Sequence, residues 1–307
     1  MAARCVAILS PGDMGHAVGA LLAERGFRVV TALAGRSELT RARAERAGIE
    51  DAGDLDAVVR VAEGILAILP PAEADSLARR VAEAMARAGR TPIYADCNAV
   101  SPATARKIAA TIVGAGAPFI DAGIIGAPPG RDRGDTRFYA SGPEVKWLED
   151  LAGRGARGGI AVIGLGEEIG RASAIKMAYA ALTKGTLTLQ AAVLVAAMRL
   201  GVFGELGKEL EKSQPEAWAR MRILPFLPAD SARWIGEMEQ IAATFRDAGV
   251  PEDFHRGAAA IFRMMAATPF AAESRESLDR SRTLEDAIQV FAEHLSACQG
   301  EDPASAD

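Results

Sequence analysis

Residues 5–19 read CVAILSPGDMGHAVG, a short apolar run that opens onto a glycine-bearing loop and a helical pattern. The run CVAIL has the length and composition of a buried strand, and HAVGALLAERG (16–26) keeps helical spacing up to Gly26. Strand, glycine turn and helix in succession present free amides and the positive end of a helix dipole to a phosphate. The dinucleotide fingerprint G-x-G-x-x-G has Ser10 in place of its first glycine, with Pro11 beside it. Gly12 remains for close backbone approach and Gly15 for tight helix–strand packing, with Ser10 expected in an ordinary turn geometry. Taken alone, the stretch also fits a purely structural strand–turn–helix.

Working outward, the first half continues the alternation. Strands are expected at 27–33, 64–70, 92–98, 117–125 and 138–142, and again at IAVIG (160–164). Helices are expected at 37–48, opened by Ser37 or Thr40, and at 74–89 and 101–116. Such alternation with short connections implies a mostly parallel sheet covered on both faces. From Glu167 to Leu200 the pattern is helical without interruption, and only helices follow, broken by Pro225, Pro228, Pro251 and Pro269. The expected architecture is an α/β Rossmann-type N-terminal domain (1–165), an all-α C-terminal domain (166–300) and a polar tail (301–307).

Composition narrows the function. The chain has 307 residues, 50% of them hydrophobic, and a net charge of −5. That balance argues against nucleic acid, which demands a basic face. Cys5, Cys97 and Cys298 are too scattered for a metal site and are read as reduced thiols. No signal-peptide pattern and no run of 18 apolar residues is present, so no membrane is expected and a cytoplasmic location is.

The turn after the second strand bears on cofactor choice. A fold selecting NAD ends that strand with Asp or Glu on the ribose hydroxyls. Here it ends ALAGRS (32–37), with Arg36 about twenty residues beyond Gly15 and no carboxylate before Glu38. A planar cation and a hydroxyl donor suit a 2′-phosphate, so NADP(H) is the expected cofactor.

SPGDMG (10–15), AGRS (34–37), ILPP (68–71), DCNAVSP (96–102), FIDAGIIGAPPG (119–130) and GLGEEIGRASAIK (164–176) stand in a telling order and spacing. In these the chain resembles the β-hydroxyacid dehydrogenase superfamily over roughly residues 4–200. The helical remainder is similar to bacterial 6-phosphogluconate dehydrogenase-like proteins whose C-terminal domain has no assigned function. The resemblance implies a nicotinamide-dependent oxidoreductase. It puts Ser10, Gly12, Asp13, Met14 and Gly15 on the cofactor phosphates, and Arg36 and Ser37 on the 2′-phosphate. Leu69, Pro70, Asn98 and Ala99 would line the rest of the cofactor. It makes Lys176 the catalytic lysine, and implies a homodimer formed through the helical domain.

Lys176 also stands on its own chemistry. It lies among small and apolar residues in ASAIKMAYAA, and helical spacing puts Tyr179, Ala180 and Thr183 on its stripe. A lysine desolvated there has a lowered pKa and suits proton exchange with a carbonyl or alcohol oxygen. Tyr179, one turn on, is a second candidate for proton donation or substrate positioning. Lys184 is read as a solvated residue, His16 as packing or touching phosphate, and His255 and His294 as structural.

The family's substrate motif D-A-x-V-S-G-G reads DAGIIGA, putting Ile125, Gly126 and Ala127 at the substrate position without the carboxylate-binding serine. An asparagine usual after the lysine is replaced by Tyr179 and Ala180, and a later lysine is missing from GEMEQIAATFRDAGVP (236–251). A small-molecule substrate is expected in a more apolar pocket than the family's 3-hydroxy acids require. Reduction of imines, or cofactor binding without turnover, remain as alternatives.

Overall fold

The computed structural model describes residues 4–130, 136–153, 159–275 and 277–298. The tail expected at 301–307 lies outside them. The chain divides into two compact units, Met1–Ala178 and Tyr179–Asp307.

Among the described residues of the first unit, eight strands form one sheet. They are β1 (Cys5–Leu9), β2 (Arg28–Thr31), β3 (Glu50–Asp51), β4 (Gly64–Ala67), β5 (Ile93–Asp96), β6 (Phe119–Ile125), β7 (Thr136–Ser141) and β8 (Ile160–Gly164). Their order is β3-β2-β1-β4-β5-β6-β7-β8, parallel throughout except for the antiparallel pair β6–β7. The mostly parallel sheet read from the sequence is present. Six helices cover it: α1 (Asp13–Glu24), α2 (Glu38–Arg46), α3 (Leu55–Val61), α4 (Pro71–Ala88), α5 (Pro102–Gly114) and α6 (Val145–Ala152). Strands β1, β4, β5 and β6 have no exposed residue, as sheets covered on both faces require.

Side-chain alternation splits the core in two. On one face Ala7, Ile65, Tyr94 and Phe119 meet Val58 and Val59 of α3, Leu77 and Val81 of α4, and Ile108 and Ile112 of α5. On the other, Val6, Ile8, Leu66 and Ile120 meet Val18 and Leu22 of α1, Ala44 of α2, and Trp147, Leu148 and Leu151 of α6. Glycines allow the closest contacts. A Cβ at Gly64 would lie 2.1 Å from the Trp147 ring, and one at Gly15 would lie 2.9 Å from the Ser10 carbonyl oxygen.

Helix α7 (Arg171–Arg199) begins in the first unit and ends in the second. The sequence puts its boundary before this helix, at Gly166, whereas the compact unit ends inside it at Ala178. Among the described residues α7 is the one helix long and apolar enough, by length and composition, to cross a membrane. Of its most apolar 18-residue window, 44% is buried within the protein.

The second unit continues with α8 (Phe203–Ser213), α9 (Pro215–Met221), α10 (Pro228–Asp247), α11 (Asp253–Ala266) and α12 (Leu284–Cys298). Pro215 and Pro228 open α9 and α10 at N1, where the missing amide costs nothing. Met238, Ile241, Phe262, Met265, Ile288 and Phe291 are fully buried, and Trp234 packs edge-on against Phe262 at 5.2 Å.

Candidate functional site

The loop after β1 departs from expectation at Ser10, whose φ is +67°. Ser10 is therefore not in ordinary turn geometry; it occupies the left-handed region that a glycine enters freely, at a cost of order 1–2 kcal/mol for other residues. The reason is the sharp turn from β1 into α1. Gly12 N–H turns back onto the Ser10 carbonyl oxygen at 2.7 Å, and Gly15 packs beneath that same oxygen.

The turn leaves the start of α1 without a side-chain cap. Ser37, Asp54 and Ser101 cap α2, α3 and α5 with side-chain oxygens, whereas α1 starts at Gly12 with no side-chain cap. Its first amides are thus left for an external acceptor. A Cβ at Gly12 would meet nothing nearer than 4.0 Å, so the backbone there is open to a close ligand. Asp13 sits in the first turn, favourable for the dipole, and Met14 is half-buried against the core. His16 shares a hydrogen bond between Nδ1 and the Gly12 carbonyl at 2.7 Å, which makes it part of the loop's own scaffold. These residues fit a dinucleotide pyrophosphate.

Arg36 follows β2 in a turn closed by its N–H on the Leu33 carbonyl at 3.1 Å. Among the described residues its half-buried guanidinium has no hydrogen bond or ion pair. Ser37 is the N-cap of α2, its Oγ accepting from Thr40 N–H at 3.3 Å. A carboxylate does reach the end of β2, but from β3: Asp51 Oδ1 accepts from Leu33 N–H and Gly53 N–H at 3.1 and 2.9 Å. A separation of eighteen residues hid that contact from the sequence reading.

The loops after β4 and β5 are tied together. Leu69 N–H donates to Asn98 Oδ1 at 2.7 Å, while Asn98 Nδ2 donates to Asp96 Oδ1. Pro70 is exposed ahead of α4, and Ala99 is half-buried ahead of α5. Asp96 was not among the expected site residues. It pairs across the sheet with Asp121, and both are about 1% exposed. Burial above all, and then the neighbouring Asp121, push the Asp96 carboxyl up to about 7. Burial also raises the Asp121 carboxyl, against four donors that favour its charge. Those are Gly170 N–H, Ser173 N–H, Ser173 Oγ and Ser141 Oγ, at 2.7–3.2 Å.

Asp121 thereby fastens the first turn of α7 to β6. Two residues along the strand, a Cβ at Gly123 would lie 2.7 Å from Lys176 Cβ and 2.9 Å from the Ala172 carbonyl. Glycine there lets α7 approach until half-buried Lys176 rests on the strand. Ile125, at the end of β6, is 3% exposed; Gly126 takes a φ of +117°, and the Ala127 carbonyl accepts from Thr136 Oγ1.

In the second unit, Tyr179 is 47% exposed, whereas Ala180 on the expected common stripe is buried. Lys184 is not on a solvated face. It is 13% exposed, and its Nζ lies 2.6 Å from Glu237 Oε1 and 5.3 Å from the Trp234 ring centre. The Glu237 partner, 53 residues away, is what an isolated helical wheel cannot supply. His255 is buried edge-on to Phe245 and Phe254, and burial lowers its pKa. His294 Nδ1 is hydrogen-bonded with the Val290 carbonyl one turn back. Among the described residues no three His, Cys, Asp or Glu gather as metal ligands.

Two family models match the chain. Residues 6–150 match the NAD-binding domain of 6-phosphogluconate dehydrogenase, and residues 197–265 match a domain of unknown function. An uncharacterized 28.5 kDa protein of Methanothermus fervidus is 28% identical over 186 residues, covering 61% of this chain and 68% of that one. A solved conserved protein of unknown function, described as similar to 3-hydroxyacid dehydrogenases, is 27% identical. It covers 86% of this chain and 99% of its own, with a TM-score of 0.58. The Mycobacterium tuberculosis 3-hydroxyisobutyrate dehydrogenase, solved with L-serine, shares the fold at 20% identity, 92% and 99% coverage and a TM-score of 0.64. The glycine loop, the doubly wound sheet and these matches agree: residues 6–150 are an NAD-binding domain of the 6-phosphogluconate dehydrogenase type, joined to a C-terminal domain of unknown function, in a chain with the fold of the β-hydroxyacid dehydrogenases.

Proposed function

We propose that this protein is an NADP(H)-dependent oxidoreductase acting on a small carbonyl/alcohol pair, with Lys176 as general acid/base. Held by the glycine loop after β1, a bound nicotinamide cofactor would supply or accept the hydride. Lys176 Nζ gives the proton to the carbonyl oxygen in reduction and takes it from the alcohol in oxidation. The observation that carries this reading is Lys176 seated against Gly123, in a unit whose α1 begins without a side-chain cap. Tyr179 is assigned a supporting role in holding the substrate. Support for the phosphorylated cofactor comes from Arg36, a guanidinium after β2 without a side-chain hydrogen bond or ion pair among the described residues. Ile125, Gly126 and Ala127 make the substrate end of β6 apolar, which favours an uncharged or larger substrate over a 3-hydroxy acid. The working form is a cytoplasmic homodimer, with no nucleic-acid or membrane partner.

The test is a set of NADPH and NADH titrations on wild type and Arg36→Ala, then a screen of alcohols, ketones and imines with the preferred cofactor. Arg36→Ala is expected to weaken NADPH about tenfold or more and to leave NADH unchanged. Lys176→Ala is expected to cut turnover by roughly 10²-fold or more with cofactor affinity retained. Tight NADH binding indifferent to Arg36 overturns the cofactor assignment. Turnover confined to imines moves the reading to imine reduction, and turnover indifferent to Lys176→Ala removes the lysine from the chemistry.

A further inference from the structure

We infer that Asp96 is a positioning residue of the dinucleotide site, acting through Asn98 to fix the loop that follows β4. The inference rests on the reading of the first unit as a nicotinamide-cofactor domain. That loop leaves β4 beside β1, where the strand order reverses, so its backbone borders the crevice in which a doubly wound sheet takes its ligand. As far as Ile68 the neighbouring strand holds the chain, Ile68 N–H donating to the Leu9 carbonyl at 3.3 Å. Leu69 has left that ladder. Its N–H has a side chain for a partner, Asn98 Oδ1 at 2.7 Å.

A buried carboxamide that accepts on one side turns its N–H groups to the other, where they need an acceptor; flipped, it would set N–H against N–H. Asp96 is that acceptor. Its Oδ1 takes both the Asn98 side-chain N–H and the Asn98 backbone N–H, the latter at 3.2 Å. Asn98 is 3% exposed and Asp96 1%, so water cannot stand in for either partner. The other Asp96 oxygen, Oδ2, is buried with no hydrogen-bond partner among the described residues. An apolar side chain at 96 would avoid burying an acid beside Asp121. What the acid makes in exchange is the contact on Asn98. Since burial holds the carboxyl at about 7, its neutral form is an acceptor that asparagine reproduces.

The test uses the full chain below neutral pH and two readouts: fluorescence titration with NADPH and NADH, and hydrogen exchange at the Leu69 amide. Asp96→Ala and Asn98→Leu are each expected to weaken dinucleotide binding about tenfold and to speed Leu69 exchange. The double variant should lose no more than either single one, because one residue acts through the other. Asp96→Asn, which keeps the acceptor, should bind within about twofold of wild type. A folded Asp96→Ala that binds normally, losses that add in the double variant, or an Asp96→Asn as weak as Asp96→Ala each overturn the inference. Should Asp96→Ala not fold, Asn98→Leu decides: unchanged Leu69 exchange or unchanged affinity is then the overturning result. A wild type that takes up neither nucleotide removes the cofactor reading and this inference together, whereas binding that ignores the variants removes this inference alone.

Discussion

Ser10 and Asp96 show what single positions contribute. Ser10 holds a left-handed backbone where β1 turns into the cofactor helix, and a β-branched side chain is least tolerant of that region. Ser10→Val is expected to lower stability by about 1–2 kcal/mol and Ser10→Gly to lower it little or not at all, read from thermal melts. Asp96 gives a pH dependence whose sign follows from its shift. The folded value near 7 lies above the ordinary value of 3.8, so folding favours the protonated acid. Its contribution is fully present below the unfolded value and is lost as pH rises through about 7. Asp96→Asn carries no such proton, and its melting temperature is expected to gain on wild type as pH is raised from 6 to about 8. Parallel curves across that range would show that Asp96 does not titrate there. The Asp96 shift was not legible in the sequence, because it depends on a strand partner twenty-five positions away and on complete burial.

Among the elements, α7 bears Lys176 and Lys184, and α10 holds the second of these charges. Lys184 and Glu237 form a nearly buried pair across these helices, 2.6 Å apart with Trp234 beside the ammonium. Removing one partner strands the other charge away from water. Lys184→Met is expected to cost about 3 kcal/mol, and Lys184→Met with Glu237→Leu to recover much of that loss. Denaturant unfolding of the two variants measures it, and additive losses would refute the coupling. Most elements were readable from periodicity: strand 117–125 and helix 101–116 fall close to β6 and α5. The two-residue β3 and the short α3 and α6 were not read. Two exposed residues, Glu50 and Asp51, carry no hydrophobic alternation, and α6 is defined by the packing of Trp147 onto Gly64.

For the whole molecule, the exposed face of α7 in the second unit bears on assembly. Tyr179, Leu182, Thr186, Leu189, Val193 and Ala196, with Leu200 just past the helix end, recur at alternating three- and four-residue steps, all exposed, with Leu182 72% and Leu200 76% open. That spacing is the seam of helix-on-helix packing. If the proposed homodimer forms through it, light scattering should give twice the 32.1 kDa chain mass for wild type and a single chain for Leu182→Asp with Leu189→Asp. Wild type at one chain mass would sink the proposal.

The sequence by itself determined the order of strands and helices, the glycine loop before α1, the turn bearing Arg36 and the helix bearing Lys176. These are local properties, set by side-chain period, by glycine and proline, and by capping residues a few positions apart. Only the tertiary structure decided which way the Asn98 carboxamide faces, that Asp96 and Asp121 are neighbours, that Ser10 is left-handed, and that Lys184 is paired. Each of these turns on groups brought together by sheet register and helix packing, or on a turn closed by a backbone contact. Burial removes the water that would otherwise satisfy them, so the energy of every such group is fixed by neighbours the linear chain does not reveal.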